Sequence, residues 1–512
     1  MADLLLAVDI GTQGVKGMLV DRRGKVLADA HVEHASIYPR PGWCEQDMAQ
    51  NWWLNPAAVI RRLLAASHID SARVGAISLS GLYPALGPTD GSGQPLRPAI
   101  LYSDNRAIAE IDEINQALGL SLTSEELTPK LLWFLRHEPQ LAGQMRMFFD
   151  SAHYAVYKLC GAYVMDTITA GLFGAIYASP SAGWRKDVCR RFNIPVDILP
   201  AVHPPADIVG HVHEQAARQT GLTPGTPVLT GMPDLYPSNI SAGITSTAEA
   251  VAYYGTAGLV PILKQDPLEA AFYPFPEEDG YMFDYPVYSL AVGDGLRWFR
   301  DSFGQPEMQA TSEEPGSSAY AKLDQLAEVV PAGSDGLIFL PYLFGQRSPW
   351  FDPYASGVWF GLTKSHGRAH LYRAIMEAFG YTIRHGLETF YPQGLELKRI
   401  VATGGGARSP LWRQIVSDIT GLKQAYVAEA DGPLGSAYIA GLALGWFKDF
   451  KPLRENWVKI TATVMPNPAN RPAYDAGYAI YRDLHAALRP LFQRQHQLRQ
   501  QAMRPDAPDG DL

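Results

Sequence analysis

Short apolar runs open the chain, broken by glycine-containing turns. Residues 4–8 are apolar, residues 9–14 read Asp-Ile-Gly-Thr-Gln-Gly, and residues 15–20 are again mostly apolar. A second turn at 21–24 precedes a third run at 26–28. Strands separated by such turns predict an antiparallel meander. Helices are predicted over 52–66, 108–118, 130–137 and 155–159, with a strand at 74–79 ending in Ser80-Gly81. A strand at 228–230 runs into Gly231-Met232-Pro233-Asp234, and a helix starts at about 238–243.

The second half restarts the pattern. A strand at 248–254 leads into Gly255-Thr256-Ala257-Gly258, the echo of Gly11-Thr12-Gln13-Gly14, and an apolar run follows each. The spacing between the echoes is close to half the chain, which points to two related halves. The boundary is predicted near 244–250, giving domains of 1–246 and 247–492. Helices are then expected at 296–303, 369–389, 410–420 and 435–446, a loop at 309–318, and strands at 336–342 and 400–402. The last strand ends in Gly404-Gly405-Gly406. Residues 493–512 read as a disordered tail, Gln- and Arg-rich and then Pro- and Asp-rich.

Composition narrows the class. At 512 residues, 47% apolar and 19% charged, the chain suits two large cored domains. A net charge of −9 argues against broad nucleic-acid binding. No run is long and apolar enough for a membrane span, and the first residues do not read as a secretory leader. The three cysteines, Cys44, Cys160 and Cys189, form no CxxC pair and fit a reducing, cytoplasmic setting.

Candidate chemistry gathers at the turns. Gly-Thr-x-Gly between strands can present backbone N–H groups to phosphate oxygens, with glycine allowing positive φ and close approach. Thr12 and Thr256 add hydroxyl donors, and Lys16 adds charge. Asp9, just before the first turn, would repel a phosphate unless a cation such as Mg²⁺ lay between them. Asp234 reads either as a helix N-cap or as a general base that accepts a hydroxyl proton. The triple glycine before a helix is suited to a flat ligand lying against backbone.

In order along the chain, these segments resemble the FGGY family of carbohydrate kinases, closest to its xylulokinase-type members. The likeness runs over about residues 4–450. It rests on Asp9 to Lys16, on Gly42-Trp43-Cys44-Glu45-Gln46-Asp47 with Trp52-Trp53, and on Leu101 to Arg106. The stretches from Thr128 to Pro139, Tyr342 to Arg384 and Gly404 to Gln414 add to it. The resemblance implies two RNase-H-like (actin-like ATPase) α/β domains around a hinged interdomain cleft. It implies ATP and Mg²⁺, with Asp234 as catalytic base and Asp9 near the metal. Gly11, Thr12, Gln13, Lys16, Gly255, Thr256 and Gly258 would hold phosphates. Gly404, Gly405, Gly406 and Ser409 would wall the nucleoside.

The departures concentrate at the sugar. Where xylulokinase-like members carry a GQMHG-type turn, this chain has Gly81-Leu82-Tyr83-Pro84-Ala85, and Leu235 follows the base where Asn is common. Tyr83, Tyr102 and Asp104 are the candidate sugar contacts beside Asp234. The expected activity is transfer of the ATP γ-phosphoryl group to a pentulose or related sugar or polyol. The alternative is a catalytically idle sugar or nucleotide sensor. Partners are the sugar and ATP, without nucleic acid or membrane, and a homodimer stays open.

Overall fold

The computed structural model describes residues 2–264, 283–289, 291–313, 318–392, 396–428 and 430–502. The described residues group into two α/β units. One holds residues up to 245 together with 430–458; the other holds 246–264, 283–428 and the described residues from 459 on. The helix Gly432–Ala443, expected in the second domain, therefore packs with the first unit, against its central strands. Glycine makes this possible: a Cβ at Gly435 would lie 1.9 Å from the Pro237 carbonyl oxygen.

In the first unit the strands are β1 (Leu4–Ile10), β2 (Gly14–Asp21), β3 (Val26–Glu33), β4 (Val74–Gly81), β5 (Ile208–His211) and β6 (Pro227–Leu229). They lie in the order β5-β6-β4-β1-β2-β3. The meander β1-β2-β3 is antiparallel, β4 runs parallel to β1, β6 parallel to β4, and β5 antiparallel to β6. β4 is buried along its whole length, as expected for a strand covered on both faces.

The second unit repeats this plan. Its strands are β7 (Glu249–Tyr254), β8 (Gly258–Leu263), β9 (Phe283–Ser289), β10 (Arg399–Thr403), β11 (Lys423–Val427) and β12 (Ile460–Val464), in the order β9-β8-β7-β10-β11-β12. Each pair has the same sense as its counterpart in the first sheet. The four-residue echo in the sequence is thus the visible trace of a six-strand duplication.

Two expectations fail. Residues 309–313 of the predicted loop at 309–318 are helix, the end of Gln305–Glu313, with 314–317 outside the described residues. It has no apolar stripe to announce it, and it is held instead by the ion pair of Glu307 with Arg368. The tail is helical rather than disordered as far as Ala502, because Arg471–Ala502 is one helix that buries Tyr474, Tyr478, Tyr481 and Phe492; residues 503–512 lie outside the described residues. Among the described residues no helix is long and apolar enough to cross a membrane.

Candidate active site

The first unit builds its site on the ends of β1 and β4. The register sets Asp9 opposite Lys16 on β2 and Ser80 on β4. The Ser80 hydroxyl donates to Asp9 Oδ1 at 2.7 Å. Asp9 is surrounded by protein yet keeps some solvent contact. Burial is the main reason its carboxyl is pushed up to about 6; Ser80 opposes the shift, Asp431 adds to it and Lys16 opposes it. Asp431 stands just before the helix Gly432–Ala443, and its Oδ1 lies 3.5 Å from Lys16 Nζ.

Three carbonyls of the turn Gly11–Gly14 are tied down. The Gly11 carbonyl accepts from His34 Nε2 at 3.0 Å, Thr12 from Gln46 Nε2 at 2.9 Å, and Gln13 from the His34 backbone at 3.0 Å. In a trans peptide the N–H points opposite to the C=O. The N–H groups of Thr12 and Gln13 are therefore aimed away from these anchors. The turn and His34 both line a cavity of about 780 Å³. Gln46 is itself fixed, since its Oε1 accepts from Trp52 Nε1 at 2.8 Å. Burial lowers the proton affinity of His34, against the pull of the Gly11 carbonyl, and its Nδ1 lies 3.3 Å from Asn55 Nδ2.

The glycines of both Gly-Thr-x-Gly turns do not take the left-handed conformation expected of them. They are needed for space. A Cβ at Gly14 would come within 2.5 Å of His31 Nε2, and one at Gly258 within 2.5 Å of Val292.

Asp234 opens the helix Leu235–Ser241, but its side chain makes no capping bond. Its backbone N–H donates to the Gly81 carbonyl at 2.8 Å, fixing it at the end of β4. The carboxyl is held well above the usual range, first by burial and then by Asp9. The backbone N–H groups of Leu235 and Asp234 pull it down, and Asp150 pushes it further up. Asp150 in turn caps the helix Ser151–Cys160 and bonds His153 Nδ1 at 2.7 Å.

Tyr102 joins this group. Its phenol hydrogen-bonds Thr12 and lies in the field of Asp234. Tyr83 contributes its ring to the neighbouring apolar cluster around Leu86, Ile100 and Trp133. Asp104 is a correction. It is buried, with Oδ1 accepting from the backbone N and Nε of Arg106 and Oδ2 from Cys44 N and Arg106. All of its accepting capacity is used inside the fold, so it has none to offer a sugar. It holds Arg106 under Trp43, whose ring centroid is 3.7 Å from the guanidinium carbon.

The second unit repeats the turn with different anchors. The Gly255 and Thr256 carbonyls accept from Gly293 N at 2.9 Å and Asp294 N at 3.2 Å, in the first turn of the helix Val292–Phe303. These are helix N–H groups without intrahelical partners. The N–H groups of Thr256 and Ala257 are thereby aimed the other way. A cavity of about 710 Å³ follows, lined by Gly255, Thr256, Gly405, Gly406 and Ser409 among others. Gly404 has φ +92 and passes over the Tyr254 carbonyl. Nothing lies within 4 Å of a Cβ built on Gly405, which leaves an open backbone wall. Ser409 caps the helix Pro410–Thr420, accepting from Trp412 N at 3.0 Å.

Family models match both halves: residues 4–241 the N-terminal domain of the FGGY family of carbohydrate kinases, and 250–444 its C-terminal domain. The chain belongs to the FGGY family of carbohydrate kinases. It is an ATP-dependent sugar kinase of that family. A xylulose kinase of Bacillus subtilis (strain 168) is 27% identical over 95% of this chain and 97% of its own. A gluconokinase of Bacillus licheniformis is 29% identical over 82% and 83%. The crystal structure of a xylulose kinase from Rhodospirillum rubrum superposes with a TM-score of 0.83 at 31% identity, covering 96% of this chain and all of that one. The fold expected from the sequence, two actin-like α/β domains, is the fold of this family.

The family's charge chemistry fits the residues around Asp9. Asp9 and Asp431 bring more negative charge together than Lys16 offsets, and a divalent cation would relieve that excess. His34 and Asn55 are the site residues that sequence reasoning missed. His34 anchors the first turn and Asn55 holds His34, and no spacing rule links either to it.

Proposed function

We propose that this sugar kinase phosphorylates an uncharged acceptor, a xylulose-like pentulose or a related sugar or polyol, with Asp234 as general base. The observation that carries this reading is the state of Asp234. Its carboxyl is free of the capping role, raised in affinity for protons, and close to the Tyr102 phenol and the anchored turn. A carboxylate of that kind takes the acceptor's proton as its oxygen attacks phosphorus. The N–H groups of Thr12 and Gln13, and of Thr256 and Ala257, would carry phosphate charge, with Lys16 beside the first pair. Gly404, Gly405, Gly406 and Ser409 would wall the nucleoside. Asp9, with Asp431 near it, would hold Mg²⁺. The ion, when bound, supplies positive charge to the phosphates.

Charge favours a neutral acceptor over a sugar acid such as gluconate. The groups acting on Asp234 and Tyr102 include Asp9, Asp150 and Glu125, all acidic. Nearby cations are already engaged: Arg106 with Asp104 at 2.6 Å and Glu45 at 2.7 Å, Arg97 with Glu138 at 2.9 Å, and Lys130 with the Ser124 carbonyl.

An ADP-release assay across ketopentoses, ketohexoses, aldoses, polyols and gluconate tests the reading. A neutral acceptor should give the highest kcat/KM, and Asp234→Asn should fold normally while losing about 10²- to 10⁴-fold in kcat. Near-wild-type turnover by that variant would remove Asp234 from the chemistry, and preference for gluconate would overturn the neutral acceptor. If no compound exceeds the water-only rate, the idle-sensor reading replaces both.

A further inference from the structure

Two carboxylates line the cavity of the second unit, and they are not equivalent. Asp294 is paired with Arg297. Asp324 has no cation: among the described residues its partners are the Tyr372 hydroxyl, 3.4 Å from Oδ1, and the Ser409 hydroxyl. Ser409 Oγ already accepts from Trp412 N, so its own proton is available to Asp324. Asp324 stands on the helix Ala319–Glu328, beside Tyr320 and Ala321 on the wall of the same cavity, and is half-buried. Burial pushes its carboxyl up to about 6, against the pull of Ser409 and Tyr372.

A carboxylate offers about four lone-pair sites, and at most two are used here. The rest of its capacity is left for a ligand in a cavity whose other charged lining residues are Asp294, paired with Arg297, and Arg408. We propose that Asp324 accepts a hydrogen bond from a donor on the nucleoside and so makes the pocket selective for nucleotides that carry it. This rests on the reading that the cavity holds the nucleotide. Two groups of ATP have the required chemistry, a ribose hydroxyl and the exocyclic amine of adenine. A carbonyl in place of that amine would meet the carboxylate acceptor to acceptor, which costs the bond and adds repulsion.

The test compares kcat/KM for ATP, 2′-deoxy-ATP and inosine triphosphate in the wild type, Asp324→Asn and Asp324→Ser. Each ratio is taken within one variant, so loss of folded protein cancels. A hydrogen bond to a charged acceptor is worth about 10- to 100-fold. The wild type should prefer ATP over one analogue by that factor, and both variants should lose the preference. Collapse of the deoxy ratio assigns the ribose, and collapse of the inosine ratio assigns the amine. Ratios unchanged in both variants, or absent in the wild type, overturn the inference. Ala321→Trp, which fills the cavity, separates the two levels of the argument. If it raises KM for ATP while the Asp324 ratios stay flat, the pocket stands and Asp324's role falls. If it leaves KM unchanged, the cavity does not hold the nucleotide and both readings fall.

Discussion

Replacing Gln46 with methionine tests whether the anchoring of the first turn matters to catalysis. Gln46 is fully buried, and methionine nearly conserves its volume, so packing alone should cost little. Two short hydrogen bonds are lost: Trp52 Nε1 loses its acceptor, and the Thr12 carbonyl loses its donor; the longer contacts of Gln46 Nε2 with His34 Nε2, at 3.4 Å, and Ser36 Oγ, at 3.5 Å, go with them. Trp52 is fully buried, so its orphaned N–H carries the full penalty of about 1–3 kcal/mol. Thr12 is partly exposed, and water can replace its lost donor at a smaller cost. The sum, about 2–4 kcal/mol, should appear as a lowered midpoint in urea unfolding. The functional effect is separate. The peptide between Thr12 and Gln13 is now held only by its neighbours, so its N–H is no longer preset. Removing one preorganised donor at an oxyanion costs about 10²–10³ in rate; loosening one should cost about 10-fold in kcat/KM for ATP, with KM for the sugar less affected. Measured ADP release under conditions where the variant is folded decides it. Lower stability with unchanged kcat/KM for ATP would mean that the first turn is not a phosphate site.

Gly293→Ala should act likewise on the second turn. Its Cβ would lie 2.4 Å from the Gly255 carbonyl oxygen, so the turn must move, and KM for ATP should rise several-fold in steady-state kinetics. Asp9→Asn should stabilise the fold while it impairs phosphoryl transfer. The folded carboxyl titrates at about 6 against 3.8 unfolded, so the folded state binds the extra proton and stability falls as pH rises between those values. The variant's advantage in thermal unfolding should be present at pH 7.5 and vanish below about pH 4; an advantage independent of pH would refute the assignment. Mg²⁺ should raise the unfolding midpoint of the wild type more than that of this variant. Asp104→Asn breaks a buried ion pair and should cost about 3–5 kcal/mol in denaturant unfolding without altering which sugars are accepted.

Legibility in the sequence followed what each signal depends on. The meander, the echo at Gly255 and the place of Asp234 at a strand-to-helix turn were readable because turn chemistry is local: glycine, threonine and aspartate within a few positions announce a turn wherever it folds. The role of the glycines was misread because crowding by His31 or Val292 is a contact between distant segments. Asp104 was misread for the same reason, since its partners Cys44 and Arg106 claim both oxygens only after folding. The helix Gln305–Glu313 lacked the apolar period that a helix prediction reads, and its ion pair reaches Arg368. Much of the family signature from Tyr342 to Arg384 is scaffold. Glu377 is buried and accepts from Gly333 N at 3.0 Å and Ser334 Oγ at 2.8 Å, and Arg384 pairs with Asp475 at 2.5 Å. A recognisable motif therefore located the family better than it located the chemistry.

The two turns carry the same problem solved twice. An N–H that is to meet a phosphate, as proposed for both turns, needs its peptide fixed from the carbonyl side, and each half supplies that from what its copy of the fold offers. The second half uses helix N-terminal N–H groups, at Gly293 and Asp294, which exist in any helix placed there. The first half uses His34 and Gln46 side chains, which single substitutions can remove. Backbone anchors are insensitive to sequence except where a Cβ would intrude, so the second turn should tolerate change everywhere but at its glycines. The first turn depends on a chain of side chains running from Thr12 through Gln46 to Trp52, and on His34 and Asn55 beside it. Substitutions that alter turnover without touching a ligand are therefore expected to cluster around the first turn and not the second.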